Sequence, residues 1–350
     1  MDIFNRSYSK RELLRRVGKI EQVAGVRRVM LTEGRGGGME IVEVYTGSGF
    51  EFEVILSRGM DIGRASYKGN PLSFQASPGP VHPSYYESHG FGWLRSFGGG
   101  LLVTCGLTHA GIPAVEEIEE LGLHGRISHI PTEIVSLKRE WKDNELYLEV
   151  SGEARETRMF GENLVLRRKV WSKGGENRLF VTDSVINEGF EKTPHVILYH
   201  VNIGFPFVDR DSYLEAKVKE CIPRDKEAEE GKENFDKFSP PIPGFKEKCY
   251  FLDLEENSEG KVKVSIVNPE LKLKVYLIYE KKVLPYFVEW KMMGEGAYVV
   301  GIEPSNTFLL PREELKKKGL LPYLAPEQEV KYELEIGVEE VKTTLNRVNL

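Results

Sequence analysis

From residue 20 onward the chain alternates apolar and polar residues with a period of two, the pattern of strands that face a core on one side. Such segments are 26–32, 39–46, 50–57, 133–141, 145–154, 163–172, 178–187, 195–202, 261–267, 271–279, 286–292, 297–303 and 328–338. Short turns separate many of them at hairpin spacing, and the strands from 133 to 202 have no helix of crossover length between them. Because parallel strands need such crossovers, the pattern predicts an all-β protein built as a large twisted antiparallel β-sandwich.

Two segments depart from this pattern. Residues 7–18 predict a short N-terminal helix, because Ser7 or Ser9 can cap its start and Gly18 can end it. Residues 209–248 are charged and contain several prolines, and they predict a surface excursion with a short helix near residues 225–230. Strands resume after the excursion, so we expect a single domain over residues 1–350.

The composition limits the partners of the chain. Of its 350 residues 40% are hydrophobic, enough for a sizeable core, and the net charge is −6. Without a basic stripe to displace counterions, nucleic acid is not an expected partner. The longest apolar run, 196–208, is interrupted by polar residues and is too short for a membrane span. The first residues lack the apolar core of a signal peptide, so we expect a cytoplasmic protein. Its oligomeric state stays open, a homodimer being one option.

The stretch LGLHGRISHIPTE at 121–133 concentrates polar side chains in a presumed loop that leads into a strand. Its His124, His129 and Glu133 have the residue types of a transition-metal site. However, two histidines five positions apart in a strand point to opposite faces of a sheet. A metal site is therefore disfavoured, although a metal-dependent sugar isomerase remains an alternative.

A paired acid and base fits the sequence better. His200 ends an apolar strand beside Asn202, and Glu303 ends another such strand immediately before Pro304. A histidine in that position could also be a satisfied core residue. Burying a lone carboxylate is costly, and burial raises its pKa toward the range of a general base at neutral pH.

Two further stretches have both structural and functional interpretations. Residues 77–100 are rich in Pro, Gly and aromatic residues and predict a long ordered loop, whose rings either bind sugar faces or anchor the loop. Arg58 and Asp61, in RGMDI at 58–62, either pin two strands or lie at the rim of a cleft. Lys291 either reaches the cleft or lies on the surface of a hairpin.

Taken together, LHGR at 123–126, HVNIGFP at 200–206 and GIEPSN at 301–306 resemble the aldose 1-epimerase (galactose mutarotase-like) superfamily. RGMDI at 58–62 and LRSFGGGLLVTCGL at 94–107 resemble a less characterised branch of it. The resemblance implies a sandwich with a concave sugar cleft. By match, Glu303 resembles the catalytic base, His200 the catalytic acid and His124 a substrate-binding histidine. Further substrate-binding candidates are Arg95, Arg126, Arg58, Asn202 and Lys291, with Glu247 and Asp253 considered for the family's substrate-binding aspartate.

The resemblance implies anomer interconversion of an aldose by acid and base catalysis. This chemistry needs no cofactor, in agreement with the lack of a nucleotide motif in the sequence. The alternative from another class is a non-catalytic carbohydrate-binding protein on the same fold. It would keep the aromatic loop and the arginines but would not need Glu303 and His200 within reach of one ligand.

Overall fold

The computed structural model describes residues 1–116 and 119–341. The first strands are β1 (Asp2–Ile3), β2 (Arg6–Ser7), β3 (Gly25–Met30), β4 (Glu40–Tyr45), β5 (Phe50–Ile55), β6 (Asp61–Tyr67), β7 (Asn70–Pro71), β8 (Leu102–Leu107), β9 (Ala114–Val115), β10 (Glu120–Leu121), β11 (Glu133–Lys142) and β12 (Glu145–Thr157). They are followed by β13 (Asn163–Lys173), β14 (Arg178–Asn187), β15 (Thr193–Pro194), β16 (Val196–Gly204), β17 (Tyr213–Glu215), β18 (Val218–Pro223), β19 (Lys248–Leu254), β20 (Lys261–Asn268), β21 (Leu273–Glu280), β22 (Tyr286–Gly294), β23 (Ala297–Ser305), β24 (Tyr323–Leu324) and β25 (Glu329–Glu340).

The helices are short. The α-helices are α1 (Lys10–Leu14), α2 (Lys226–Glu229) and α3 (Arg312–Lys317). The 3₁₀ helices are Ile20–Gln22, Gly34–Gly36, Pro83–Tyr85, Gly92–Arg95, Ile127–His129 and Lys232–Asn234. No helix in the described part of the chain has the length and apolar character needed to cross a bilayer.

Two large sheets organise the strands, and their strands pair antiparallel, as the sequence predicted. The larger sheet has the order β18-β19-β22-β23-β16-β8-β6-β5-β4-β3, with β7 attached to β6. The smaller has the order β11-β12-β13-β14-β25-β21-β20-β17. The principal apolar core draws residues from both sheets, for example Val201 and Phe52 from the larger and Leu166 and Leu334 from the smaller. This arrangement is the predicted sandwich.

Strand β16 of the larger sheet is buried on both faces. Ile197, Tyr199 and Val201 belong to the core between the sheets. Val196 and Leu198 belong to a second apolar cluster, which also includes Trp93 and Phe97 of the 77–100 loop. Because strand residues alternate between faces, His200 lies on the side of β16 that this loop covers. The aromatic loop therefore packs against the outer face of the larger sheet at β16.

The two irregular segments differ from the prediction in extent. Helix α1 is shorter than the expected 7–18, with Ser9 and Glu12 forming a capping box and Leu13 as its buried residue. With one buried apolar residue, the helix has little to stabilise a further turn. The 209–248 excursion contains the expected helix α2, but its strands β17 and β18 also extend an edge of each large sheet. It is thus part of the sandwich rather than only a surface loop.

The RGMDI stretch is buried and joins the two sheets. Arg168 of β13 binds both carboxylate oxygens of Asp183, at 2.8 and 2.6 Å, and Thr104 Oγ1 at 2.8 Å. It also donates to the carbonyls of Gly59 and Met60. The guanidinium therefore ties this turn and β8 of the larger sheet to the smaller sheet, which supports the structural interpretation of the motif.

Candidate active site

The register of β16 against β23 brings two titratable side chains together. The pair Val201 and Ile302 lie opposite each other, and one position further along this antiparallel ladder places His200 across from Glu303. His200 Nε2 lies 3.2 Å from Glu303 Oε1. The exposed fractions of these residues are 6% and 2%. Two groups that are 103 positions apart in sequence, His200 and Glu303, thus meet at the buried end of a cavity.

Hydrogen-bonding capacity remains on both side chains. His200 Nδ1 and Glu303 Oε1 are buried without a hydrogen-bond partner among the described residues. The contact between the two side chains is short enough for a hydrogen bond but lacks its alignment. Since buried polar atoms are nearly always satisfied, these atoms are positioned to bind a polar ligand.

Gly301 makes room for the carboxylate. A Cβ at this position would collide with Glu303 Oε1, the two side chains pointing to the same face of β23. Gly301 also pairs with Trp290 of β22 across the sheet. The absence of a side chain at 301 therefore allows Glu303 to lie flat along its strand beside the indole.

Burial shifts the two pKa values in opposite directions. It raises the pKa of Glu303 well above its usual range, with Glu247 adding a smaller repulsive effect. It lowers the pKa of His200 to about 4. A neutral carboxylic acid beside a neutral imidazole carries the same number of protons as a carboxylate beside an imidazolium. The opposite shifts favour a single proton shared by the pair, which either partner can carry.

His124 completes the polar end of the cavity. It adopts a positive φ of 58°, and the next residue, Gly125, has a φ of 74° where a Cβ would overlap two carbonyl oxygens. This turn presents the His124 ring 5.8 Å from the His200 ring. The Gly111 N–H donates to His124 Nδ1 at 3.4 Å, which leaves the ring proton on Nε2. Burial, with His200 nearby, holds the pKa of His124 well below its ordinary value.

Aromatic side chains form the wall. The cavity, which we call the aromatic cavity, encloses about 220 Å³. Its apolar lining includes Phe91, Trp93, Leu94, Phe97, Ile112, Phe251, Trp290 and Leu309. The rings of Phe97 and Trp290 lie 5.7 and 5.2 Å from His200. Such rings suit the C–H faces of a pyranose.

Glu247 and Arg224, from the excursion, close the opposite side. Glu247 accepts hydrogen bonds from Arg224 Nη2 at 3.0 Å and from Trp290 Nε1 at 2.9 Å. Arg224 also contacts Cys249 Sγ at 2.9 Å and Asp225 at 2.9 Å. Glu247 and Asp253 were both candidates for the counterpart of the family's substrate-binding aspartate. Glu247 lines the aromatic cavity, whereas Asp253 pairs with Lys281 on the surface.

The structure brings Glu303, His200 and His124 together but not the other predicted site residues. Arg58 is buried and donates to the Ser128, Val81 and Ser96 carbonyls. Asn202 is buried and its amide donates to the carbonyls of Gly100 and His200. Both side chains bind backbone carbonyls, and neither lines the cavity.

Three cationic candidates also lie elsewhere. The Arg95 side chain is 71% exposed and pairs with Glu87 at 3.3 Å. Arg126 pairs with Glu119 at 3.1 Å in a separate cleft. Lys291 points to the face of β22 opposite Trp290, where its ammonium donates to the carbonyls of Asn234, Phe235 and Lys237. Lys291 therefore neither lines the cavity nor lies on the surface. It binds the 209–248 excursion to β22.

The metal alternative receives no geometric support from the described residues. The 124–129 segment is a turn and a 3₁₀ helix rather than the expected strand, and it sends the two histidines apart. His129 Nε2 lies 3.0 Å from Arg58 and 2.8 Å from Ser96 Oγ, while Glu133 is exposed. Within residues 1–116 and 119–341, no three His, Cys, Asp or Glu side chains are grouped so that they could hold a metal ion.

A larger open groove of about 680 Å³ lies near Phe160, in the β12–β13 hairpin, and Phe190, in the connection from β14 to β15. Its charged residues are largely engaged in ion pairs: Glu188 binds Arg155 at 2.6 Å, and Arg312 binds Glu116. Among the described residues that line the groove, no titratable pair like Glu303 and His200 keeps free hydrogen-bonding capacity, so the aromatic cavity is the better candidate site.

Comparison with known proteins identifies the family and the fold. Residues 36–338 match the family described as "Domain of unknown function (DUF4432)". The chain belongs to the DUF4432 family. No curated protein matches the chain. The crystal structure of a "putative aldose 1-epimerase" from Klebsiella pneumoniae superposes with a TM-score of 0.86 at 20% identity, covering 90% of this chain and 83% of that one.

More distant structures share the fold of this DUF4432 protein. A galactose mutarotase-like protein from Clostridium acetobutylicum has a TM-score of 0.63 at 14% identity, covering 91% of this chain and 99% of that one. Galactose 1-epimerase from Lactobacillus acidophilus has a TM-score of 0.59 at 13% identity, covering 91% and 100%. These similarities confirm the galactose mutarotase-like fold that the sequence motifs indicated.

Burial of neutral histidines makes the stability of the protein dependent on pH. Burial lowers the pKa of His195 to about 4, against an ordinary 6.5, as it does for His200. Between these values the unfolded chain binds a proton that the folded chain excludes, so stability is lost as pH falls from 6.5 toward 4. Each such group contributes up to about 3 kcal/mol.

We expect a His195→Gln variant to lose less stability than the wild type between pH 7 and pH 4.5, measured as the urea midpoint at each pH. His195 bonds Tyr332 and the Leu107 carbonyl, away from the aromatic cavity. His89→Gln, whose side chain is 77% exposed, serves as the control and should follow the wild type. An equal loss in His195→Gln and wild type would contradict the assignment of a depressed pKa to His195.

Proposed function

We propose that this protein is an aldose 1-epimerase, an isomerase that interconverts the α and β anomers of an aldose by opening and closing the sugar ring. The observation that carries the proposal is the pair formed by Glu303 and His200, 3.2 Å apart at the buried end of the aromatic cavity. The hydroxyl oxygen on C1 and the ring oxygen are bonded to the same carbon. A base and an acid this close together can therefore serve both oxygens of one bound sugar.

In the proposed reaction Glu303 removes the proton of the C1 hydroxyl while His200 protonates the ring oxygen. The bond between C1 and the ring oxygen breaks, and its electron pair is taken up by the protonated oxygen as C1 becomes an aldehyde. Rotation about C1–C2 presents the other carbonyl face. Ring closure then reverses both proton transfers, so the pair returns to its starting state without a cofactor.

The protonation state of the pair suits this cycle. The reaction starts from carboxylate and imidazolium, the charged arrangement of the single shared proton. Burial alone favours the neutral arrangement, but a bound sugar would donate a hydrogen bond to Glu303 and accept one from His200. Both bonds favour the charged forms, so substrate binding would set the proton on the histidine.

The remaining polar groups would orient the sugar. His124 can donate from Nε2, and Glu247 keeps acceptor capacity beyond its bonds to Arg224 and Trp290. Glu247 would thus take the substrate-binding role that the resemblance assigns to an aspartate. The indole rings of Trp93 and Trp290 would pack on C–H groups of the ring.

The test is saturation-transfer NMR of anomer exchange on a panel of aldoses. We expect the wild type to accelerate exchange of its best substrate, and His200→Ala to lower kcat/KM by about 10²- to 10³-fold, the usual contribution of an acid or base. His89→Ala, whose side chain is 77% exposed, is the matched control and should keep wild-type activity.

A non-catalytic sugar-binding protein on the same fold gives a different result in these experiments. Sugars would raise the Tm of the protein, but neither the wild type nor the variants would exchange anomers. Sugar-dependent stabilisation without exchange would therefore refute the enzyme and favour a carbohydrate-binding protein.

A further inference from the structure

The charges of the aromatic cavity bear on which sugar the proposed reaction takes. Among the described residues that line it, Arg224 alone carries a permanent positive charge. Its guanidinium binds Glu247 at 3.0 Å, Asp225 at 2.9 Å and Cys249 Sγ at 2.9 Å. Because two carboxylates already share this one cation, a carboxylate or phosphate on the sugar would meet a net negative charge there.

The histidines do not supply that charge. Burial keeps the pKa of His124 well below its ordinary value, and the proton shared by His200 and Glu303 leaves that pair with no net charge. Glu247 adds a carboxylate to the wall. An anionic group desolvated here would face carboxylate repulsion without a compensating partner, a cost of several kcal/mol in a buried site.

Part of the mouth of the cavity is apolar. Arg224 and Glu247 are exposed there, and the other exposed lining residues are Phe91, Leu94 and Ile112, with exposed fractions of 61%, 51% and 49%. All three are large hydrocarbon side chains, and their side chains offer no hydrogen bond. In the proposed reaction C1 lies at Glu303 and His200, at the buried end, and Glu247 accepts from ring hydroxyls. The substituent on C5 would then point toward the apolar part of this mouth.

We propose that the substrate of the aromatic cavity is a neutral aldose with a hydrocarbon group at this remote end, namely a 6-deoxyhexose rather than a hexose, a uronic acid or a sugar phosphate. The methyl group of such a sugar would pack against Phe91, Leu94 and Ile112. The hydroxymethyl group of the parent hexose would instead be desolvated beside them without a partner. This inference rests on the proposed mutarotase function and specifies its substrate class.

The experiment compares four sugars of one ring configuration, chosen as that of the fastest aldose in the panel: the hexose, its 6-deoxy analogue, its uronic acid and its 6-phosphate. Anomer exchange by the wild type is measured by saturation-transfer NMR. We expect kcat/KM for the 6-deoxy sugar to exceed that for the hexose by about tenfold, the usual discrimination of an apolar pocket at its lower end. The two anionic sugars should fall below the hexose by at least about tenfold.

Rim variants test the contact itself. Phe91→Ser should reduce the preference for the 6-deoxy sugar to within about threefold of the hexose. Phe190→Ser is the matched control, because Phe190 is 95% exposed and lies outside the aromatic cavity, and it should keep the wild-type preference. Both side chains are exposed, so both variants should fold.

The outcomes separate the two proposals. Exchange of the uronic acid or the phosphate at the hexose rate, or a hexose preferred over its 6-deoxy analogue, would overturn the substrate inference while the mutarotase assignment stands. An unchanged preference in Phe91→Ser would overturn the role of the apolar mouth. Failure of every sugar to exchange would refute the proposed function, and the substrate inference would fall with it.

Discussion

Replacing Glu303 with glutamine is expected to lower kcat/KM for anomer exchange by about 10³-fold or more, because the amide keeps the shape of the side chain but cannot accept the C1 proton. Glu303 is 2% exposed, and its Oε1 has no hydrogen-bond partner among the described residues. Removing a buried ionisable group that lacks partners should not destabilise the fold. We therefore expect the Glu303→Gln variant to keep or exceed the wild-type Tm while losing activity.

This combination distinguishes a catalytic from a structural role. Glu295→Gln, in the exposed turn between β22 and β23, changes the same functional group nearby and should alter neither activity nor Tm. Saturation-transfer NMR gives the rate, and thermal unfolding at pH 7 gives the Tm. A Glu303→Gln variant within tenfold of wild-type activity would contradict the assignment of the base. A large fall in its Tm would show instead that the carboxylate stabilises the fold.

The strand pattern was sufficient to predict the sandwich because a period of two survives in any strand with one buried face. Strands such as β12 and β13 alternate buried and partly exposed residues along much of their length. β16 is buried at all nine positions, and its period is hidden in an apolar run. In β16 the polar residues His200 and Asn202, two positions apart on one face, are the only sign in the sequence that this face differs from the other.

The site was only partly predictable for a related reason. Glu303 and His200 stand out because each is a titratable residue in an otherwise apolar strand, where burial demands an explanation. Arginine and lysine give no such signal. Arg58 and Lys291 were predicted near the cleft, yet they bind backbone carbonyls inside the protein. Local sequence does not reveal which carbonyls lack partners.

Glu247 and Trp290 illustrate what long-range pairing adds. Glu247 immediately precedes β19, and β19 pairs with β22 so that Lys248 lies opposite Lys291. This register carries Glu247 to the Trp290 indole, 43 positions away. The charged composition of the excursion suggested only a solvated surface. Its contribution to the aromatic cavity depends on strand order in the larger sheet, which no sequence motif specifies.

The second large effect concerns stability rather than catalysis. Replacing Arg168 with methionine is expected to cost about 3–5 kcal/mol in the free energy of unfolding, because it leaves buried carboxylates without their charged partner. The Arg168 side chain is 1% exposed, Asp183 is fully buried, and Asp61 Oδ1 lies 3.5 Å from the guanidinium. Burial already raises the pKa of Asp61 to about 6, and loss of the arginine would raise it further.

Arg167→Met is the matched control for this prediction. Arg167 is the preceding residue of β13, but its side chain is 45% exposed and pairs with Glu153 and Glu188 on the surface. Exposed pairs contribute about 1 kcal/mol or less, so urea unfolding at pH 7 should separate the two variants clearly. Adding Asp183→Asn to Arg168→Met should recover part of the loss, since it removes the uncompensated charge. Two results would contradict this prediction: equal losses of stability in the two arginine variants, or no recovery in the double variant. Either would mean that Arg168 is not what joins the RGMDI turn to the smaller sheet.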